Sequence, residues 1–229
     1  MKYPSVFEFA FMSTPTTVLK PRKSPVQARS TATVEALHTA TIQVLTRDGL
    51  MRCTTTRIAE RAGMSVGSLY QYYPNRDALL TAVLELHLNN ITACVEKACQ
   101  EGMGKPIAES IAILVSAFLQ KKFKNPEESK ALYSIAAEHD GLRLIVMMRK
   151  RIVSAIESML HSAPDIHIDD PELVAQIVLG VLDGPARAIL EGLTTPQVEP
   201  NLFEQLILLL RGYLEQYKKG TVANRNLSR

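Results

Sequence analysis

Beyond its first 24 residues, the chain repeats apolar residues at helical spacing, and no useful stretch alternates with the period of two that a half-buried strand requires. The first segment shows the pattern on one face, at Val34, Leu37, Thr41, Val44 and Leu45. Gly49 follows where that helix would end. Because 46 % of the 229 residues are hydrophobic, the chain can bury a sizeable core. The pattern predicts an all-α protein.

Composition and the positions of helix-breaking residues divide the chain into four parts. We expect a flexible basic arm at residues 1–24, a small helical domain at 25–74, a larger helical domain at 75–217 and a polar, frayed tail at 218–229. The basic group Lys20, Arg22 and Lys23 is interpreted either as a solubilising tail or as a minor-groove contact. Met12 is a second plausible start, which leaves open whether residues 1–11 belong to the natural protein.

The later helices are marked by their caps and breakers. Asn75 is a good N-cap for a long helix, and Pro171 and Pro200 sit where proline suits a first turn. The expected helices lie near 55–62, near 66–72, from 76 to the glycines at 102 and 104, and at 107–123, 127–138, 142–160, 171–190 and 200–217.

Several function classes find no support in the sequence. The three cysteines, Cys53, Cys94 and Cys99, form no CxxC and are interpreted as free thiols of a reducing cytoplasm, with packing favoured over redox sensing. No apolar run is expected to span a membrane. Neither a metal-ligand cluster nor a nucleophile or nucleotide-binding motif is found. We therefore expect no enzyme activity and no cofactor, and the net charge of +3 argues only weakly for nucleic acid.

The stretch AERAGMSVGSLYQYY, residues 59–73, has the residue types of a helix-turn-helix. Ala59 is small where two short helices would touch, and Gly63 tolerates the positive φ of the turn between them. Ser65 can cap the second helix through its hydroxyl. The apolar contacts between the two helices are assigned to Ile58, Ala62, Met64 and Leu69.

The longer segment TTTRIAERAGMSVGSLYQYYPNRDALLTAVL resembles the N-terminal DNA-binding domain of the tetracycline-repressor (TetR) family of bacterial regulators. The resemblance covers about residues 31–91. Tyr73 stands where the family usually has Phe, and Arg76 where it often has Lys. The resemblance implies an all-helical second domain, a homodimer and a palindromic operator, since two-fold symmetry places two recognition helices in adjacent major grooves.

The resemblance also implies which residues contact DNA. Gln71 would read an adenine, Tyr70 and Tyr72 would contact sugar and phosphate, and Arg76 would supply charge to the backbone. Tyr73 is expected to pack inward instead. The full expected DNA-binding set is Thr55, Thr56, Ser65, Val66, Gly67, Ser68, Tyr70, Gln71, Tyr72 and Arg76.

The last two long helices, at 171–190 and 200–217, are apolar around most of their circumference. A surface helix normally shows one apolar stripe, so each helix is expected to pack both within its subunit and against a second copy. By the resemblance they would form a four-helix bundle in the dimer, with Gly180 and Gly184 allowing close approach and Pro185 giving a kink. The expected interface residues are Val178, Leu182, Leu206 and Leu210.

Scattered polar residues on the apolar helices of the second domain suggest a small-molecule site. The candidates are His87, Asn90, Tyr133, His139, Asp183 and Arg187. Asp183 and Arg187 are four residues apart and can pair along their helix, either as an interface ion pair or as ligand contacts. Because aromatic residues are few, aliphatic walls and a flexible, greasy ligand are expected.

Together the helical patterns and the resemblance favour a cytoplasmic DNA-binding transcriptional regulator, and a repressor over an activator, that is released from DNA by a small apolar or amphipathic effector. Two alternatives remain open. One is a regulator without a small effector, and the other is a helical enzyme with a vestigial DNA-binding head.

Overall fold

The computed structural model describes residues 28–136, 141–194 and 198–219. Nine α-helices lie in these ranges: α1 (Ala28–Asp48), α2 (Thr55–Arg61), α3 (Val66–Tyr72), α4 (Arg76–Gly102), α5 (Ile107–Lys122), α6 (Pro126–Ala136), α7 (Gly141–Ser162), α8 (Pro171–Leu190) and α9 (Val198–Leu214). Short 3-10 turns follow α1 and α9. The described residues contain no β-strand, only one isolated bridge between Ile166 and Lys218. The predicted all-α class is confirmed, and α3 and α8 have the predicted bounds.

Polar caps set where α2, α3 and α4 begin. Ser65 accepts a hydrogen bond from the backbone N–H of Ser68, and Asn75 accepts one from Ala78, as predicted. Thr54 caps α2 in the same way, one residue before the threonines that were assigned to DNA. Gly49, at the end of α1, has a φ of 76°, and Gly63, in the turn after α2, has a φ of 69°. Both glycines therefore occupy the left-handed region that other residues avoid.

The first of two apolar cores holds α1, α2 and α3 against the start of α4. Its buried side chains include Leu37, Val44, Ile58, Leu69, Tyr73, Leu79 and Leu84. Leu132 and Ile135 of α6 and Leu144 of α7 complete this core. The first core therefore reaches past the predicted domain boundary at residue 74, and the helix pair α6–α7 contacts it directly.

The second core joins α4, α5, α7, α8 and α9. It includes Val178 and Leu182 of α8 and Leu206 and Leu210 of α9, all of which are buried within the chain. Their assignment to a dimer interface is therefore wrong. Each of the two helices does have two apolar faces, as predicted. These four residues lie on the face that packs within the chain.

Two further expectations need correction. By length and composition, α4 and α8 are long and apolar enough to cross a membrane, a test that core helices also pass, and both contribute to the cores above.

The start of the tail is also fixed rather than frayed. The Tyr217 carbonyl accepts from the His167 N–H at 2.8 Å, and the Lys219 N–H donates to the Asp165 carbonyl at 3.1 Å. The basic arm 1–24 and residues 220–229 lie outside the described residues.

Candidate DNA-binding surface and effector cavity

The turn between α2 and α3 is built as the sequence predicts. Ala59 is fully buried, and its carbonyl accepts from the Met64 N–H at 2.9 Å across the Gly63 turn. Ile58 and Leu69 are buried on the facing sides of the two helices. Because α3 is anchored through Leu69, its remaining faces are fixed relative to the domain.

The outer face of α3 carries the polar residues that were expected to meet DNA. Tyr70, Gln71 and Gly67 are exposed, and Ser68 is half-buried. The Tyr70 hydroxyl lies 3.4 Å from the Thr55 hydroxyl, which brings the start of α2 beside α3. Thr56 is exposed next to it. This surface offers a side-chain amide and several hydroxyls in one place, as base-edge and phosphate contacts require.

Three members of the expected set also serve the fold. The Ser65 hydroxyl caps α3 and lies 2.9 Å from the Ser68 hydroxyl. Val66 and Tyr72 are half-buried and pack against the first core. The Ser65 hydroxyl already accepts one hydrogen bond as a cap, so it has fewer hydrogen bonds left to offer DNA. The Tyr72 ring is partly packed against the first core and partly exposed.

Arg76 is held in a way that the sequence did not indicate. Its Nε donates to the Cys53 carbonyl at 2.7 Å, and one Nη donates to the Leu50 carbonyl at 2.5 Å. These carbonyls belong to the connection between α1 and α2, where the Leu50 carbonyl also accepts from the Cys53 N–H at 3.2 Å. Arg76 therefore ties the start of α4 to the α1–α2 connection, and its expected phosphate contact stays a prediction.

Tyr73 packs inward, as predicted, with only 2 % of the residue exposed. Its hydroxyl lies 2.6 Å from Nε2 of His38 on α1. Burial raises the pKa of Tyr73 to about 12. Burial also lowers the pKa of His38, against the opposing charge of Glu35. Near neutral pH a protonated phenol and an uncharged imidazole therefore share this hydrogen bond, which joins α1 to the end of α3.

A cavity of about 240 Å³ lies among α4, α5, α6, α7 and α8. Four of the six candidate effector residues line it: His87, Tyr133, Asp183 and Arg187. Asn90 is exposed and does not line it, because it lies on the outer side of α4. His139 lies outside the described residues. The apolar part of the wall is formed by Leu84, Leu88, Ile91, Phe118, Leu132, Ala136, Leu142, Ile145, Met148, Ile152 and Leu179.

Lys122 at the end of α5 is a cavity residue that sequence reasoning missed. Only 7 % of its side chain is exposed, and its ammonium lies 3.0 Å from the Asp183 carboxylate. Burial opposes the charge, but Asp183 and Tyr133 outweigh it and raise the pKa of Lys122. In the sequence, Lys121 and Lys122 look like an ordinary basic pair in a last helical turn.

The expected pair of Asp183 with Arg187 is wrong. Asp183 pairs with Lys122, and Arg187 pairs with Glu191 through a 2.7 Å contact. A neighbour on another helix thus displaces the local i,i+4 partner. His87, 3.6 Å from Glu128, has its pKa lowered by burial, against the attraction of that carboxylate.

The outer faces of α8 and α9 carry exposed apolar and small residues. On α8 these are Leu173, Ile177, Gly180 and Gly184, which recur at helical spacing. On α9, Leu208 and Leu209 are 68 % and 56 % exposed beside the exposed Gly212. Nothing in the described chain lies within 4 Å of a side-chain carbon built at any of these glycines. The outer faces, rather than the inner ones, are the surface available to a second copy.

Two of the three cysteines are packed inside the protein, as expected for thiols with a packing role. Cys53 and Cys99 are buried, and Cys94 is half-buried. Burial raises the pKa of the first two thiols to about 11 and about 12. Among the described residues, no group of three His, Cys, Asp or Glu side chains is placed to hold a metal ion.

A helix-turn-helix joined by a long helix to a bundle with an internal cavity defines a class: two-domain transcription regulators. Comparison with family models agrees. Residues 37–83 match the model of bacterial regulatory proteins of the tetR family, and residues 106–214 match the tetracyclin repressor-like C-terminal domain. The chain belongs to the TetR family of transcriptional regulators.

Individual proteins are similar over different lengths. The nucleoid occlusion factor SlmA of Actinobacillus pleuropneumoniae serotype 5b is 28 % identical over 130 residues, which are 56 % of this chain and 61 % of SlmA. A TetR-family regulator from Mesorhizobium loti superposes with a TM-score of 0.70 at 15 % identity, covering 84 % of this chain and all of that one.

SmeT, the repressor of the Stenotrophomonas maltophilia multidrug efflux pump SmeDEF, superposes with a TM-score of 0.59 at 20 % identity. The match covers 82 % of this chain and 92 % of SmeT, which has also been solved as a complex with triclosan. At these identities the structural likenesses establish the shared fold.

Proposed function

We propose that this protein is a cytoplasmic transcriptional repressor that binds a palindromic operator as a homodimer and leaves it when an amphipathic effector binds. The observation that carries the DNA-binding part is the outer face of α3, where Gln71, Tyr70 and Ser68 stand beside Thr55 and Thr56 on a helix anchored by Leu69. A polar helix face fixed to a small domain is the arrangement that reads a major groove.

The dimer would form through the outer faces of α8 and α9. Exposed apolar residues next to glycines allow two helix pairs to approach closely and to exclude water. Dimeric binding also matches the two-fold symmetry of a palindrome, because each half-site then meets one copy of α3.

The effector part rests on the cavity and on its position. Leu84 of α4 and Leu132 of α6 line the cavity and also belong to the first core, which supports α3. A ligand that packs against these two residues acts on the same side chains that hold the DNA-binding domain. Its differential affinity for two dimer shapes would then shift the population away from the DNA-bound one.

The test of DNA reading is the variant Gln71→Ala. Selection from a random DNA pool first supplies an operator, and titrations on that operator and on single-base variants follow. Loss of a bidentate contact should cost about 1–3 kcal/mol and relax preference at one position in each half-site. Gln120→Ala removes an exposed glutamine that hydrogen-bonds Ser116 on α5, and it should change neither property.

An unchanged base preference in the Gln71 variant would remove this residue from the reading surface. Failure of the wild-type protein to select any DNA sequence would contradict the proposed function itself. A regulator without a small effector would instead select an operator normally and show no ligand response. The alternative of a helical enzyme would require turnover of a metabolite, which an assay of candidate substrates measures directly.

A further inference from the structure

The cavity contains a polar group that the protein itself does not satisfy. The Tyr133 hydroxyl is buried, and no hydrogen-bond partner is found for it in the described part of the chain. Buried polar groups almost always have a partner, because leaving one unpaired is costly. Since Tyr133 lines the cavity, a bound molecule can supply the missing acceptor. Burial raises the pKa of Tyr133, so the phenol keeps its proton and can donate.

The charges around this hydroxyl are predominantly positive. The Lys122 ammonium lies 5.1 Å and the Arg187 guanidinium 5.2 Å from the centre of the Tyr133 ring. Arg149 of α7 lines the same cavity. Asp183 is the one acidic residue in the described lining, and Lys122 already pairs with it at 3.0 Å. An entering cation would find its carboxylate engaged. Arg187 is also paired, with Glu191, but the ammonium and the guanidinium each carry N–H donors beyond these pairs, which an anion can use.

The remaining wall is aliphatic for most of its extent. Leu88 and Ile91 of α4 line the cavity together with Ile145, Met148 and Ile152 of α7. Such a wall holds a hydrocarbon body by excluding water and offers it no polar partner. The polar groups therefore belong to one end of a ligand and the apolar wall to the rest of it.

We propose that the effector is an amphipathic carboxylate whose head accepts a hydrogen bond from the Tyr133 hydroxyl beside Lys122 and Arg187, and whose apolar body packs between α4 and α7. This proposal rests on the proposed function, in which the cavity is the effector site. Beyond that function, it specifies that the ligand is negatively charged and that its charged end lies at Tyr133.

Titration calorimetry with three probes of equal chain length tests the charge. Octanoate, octan-1-ol and octylammonium differ mainly in the head group. Octanoate should bind most tightly, the neutral alcohol less tightly and the cation least. Equal affinity for octanoate and octan-1-ol, or preference for octylammonium, would overturn the proposal, and so would the absence of binding by all three.

The variant Tyr133→Phe tests the contact, since it removes one oxygen and keeps the ring. A hydrogen bond to a charged group accounts for an affinity loss of about tenfold or more, so octanoate should weaken by that factor. Stability of the ligand-free variant should change little, because no hydrogen bond of ordinary geometry is lost and only the attraction between the hydroxyl and Lys122 is removed. Unchanged octanoate affinity would contradict the assigned contact.

Tyr213→Phe is the matched control, because Tyr213 lies outside the cavity lining with its hydroxyl 3.4 Å from that of Tyr217. This variant should bind octanoate like the wild type. Operator titrations without ligand distinguish failure of the carboxylate proposal from failure of the proposed DNA-binding function. Normal operator binding together with no octanoate binding rejects the carboxylate and leaves the DNA-binding function standing, whereas no operator binding rejects the function.

Discussion

At the scale of single residues, one hydrogen bond joins the end of α3 to α1. It runs between the Tyr73 hydroxyl and His38 Nε2 at 2.6 Å. Since the pKa of Tyr73 is raised, the phenol stays protonated, and it donates to the neutral imidazole or accepts from it according to the imidazole tautomer. Protonation of His38 leaves a ring that can only donate, and it places a charge where burial disfavours it.

We predict that the free energy of unfolding falls as pH decreases from about 7 to about 5. The folded-state pKa of His38 lies below its unfolded value, so the unfolded chain takes up the proton first and acid favours unfolding. His87, whose pKa is also lowered by burial, should add to the loss. Urea unfolding at several pH values measures the slope.

The variant His38→Gln should show a smaller pH-dependent loss, because a neutral amide replaces the titrating ring. His167→Gln, at a largely exposed position, should leave the slope unchanged. An equally steep loss in the His38 variant would show that this pair does not control the acid response.

At the scale of elements, α8 and α9 each bury one face within the chain and expose an apolar face on the other side. The inner faces include Val178 and Leu206, and the outer faces include Leu173 and Leu208. A charge placed on an outer face should therefore disrupt the dimer, whereas a charge placed on an inner face should unfold the chain.

We predict that Leu173→Glu combined with Leu208→Glu yields a folded monomer. Both side chains are more than half exposed in the single chain, so glutamate is tolerated there, but a dimer would bury the charge without a partner. Light scattering measures the mass and circular dichroism the retained helix. The control Leu86→Glu alters an exposed leucine of α4 and should stay dimeric.

A double variant that remains dimeric, or a wild-type protein that is monomeric at micromolar concentration, would contradict this interface. Leu206→Glu should instead unfold the chain, because Leu206 is buried in the second core.

Sequence reasoning worked best where local chemistry decides the structure. The bounds of α3, its Ser65 cap and the inward side of Tyr73 follow from residues a few positions apart. It failed where a partner comes from a distant helix. Lys122 meets Asp183 from α5, and Arg76 meets carbonyls beyond α1, so neither contact leaves a signal in the residues next to it.

At the scale of the whole molecule, the two cores share a border. Ser129, Leu132 and Tyr133 of α6 line the cavity, while Leu132 and Ile135 of the same helix enter the first core. A displacement of α6 by a ligand therefore disturbs the packing beneath the helix-turn-helix.

We predict that Leu132→Ala weakens the coupling between octanoate and operator. Coupling between two sites typically changes affinity by about 5–150-fold, and a smaller side chain transmits less of it. The substitution should also lower the free energy of unfolding by about 2–5 kcal/mol. Operator titrations with and without octanoate measure the coupling.

Leu79→Ala is the control, since Leu79 is buried in the first core but does not line the cavity. It should cost similar stability and keep the ligand effect. If octanoate changed operator affinity equally in both variants, α6 would not be the element that couples the cavity to the DNA-binding domain.

Gly67 on the outer face of α3 bears on how operators diverge between related regulators. It is exposed, it lacks the positive φ that would demand glycine, and an added side-chain carbon would meet only the Ser65 hydroxyl at 3.7 Å. A side chain can therefore begin at this position in ordinary van der Waals contact, and it would extend from an exposed face of α3. One codon change there would add a new contact to the groove, so a duplicated gene could acquire a different set of targets while its fold and effector cavity stay intact.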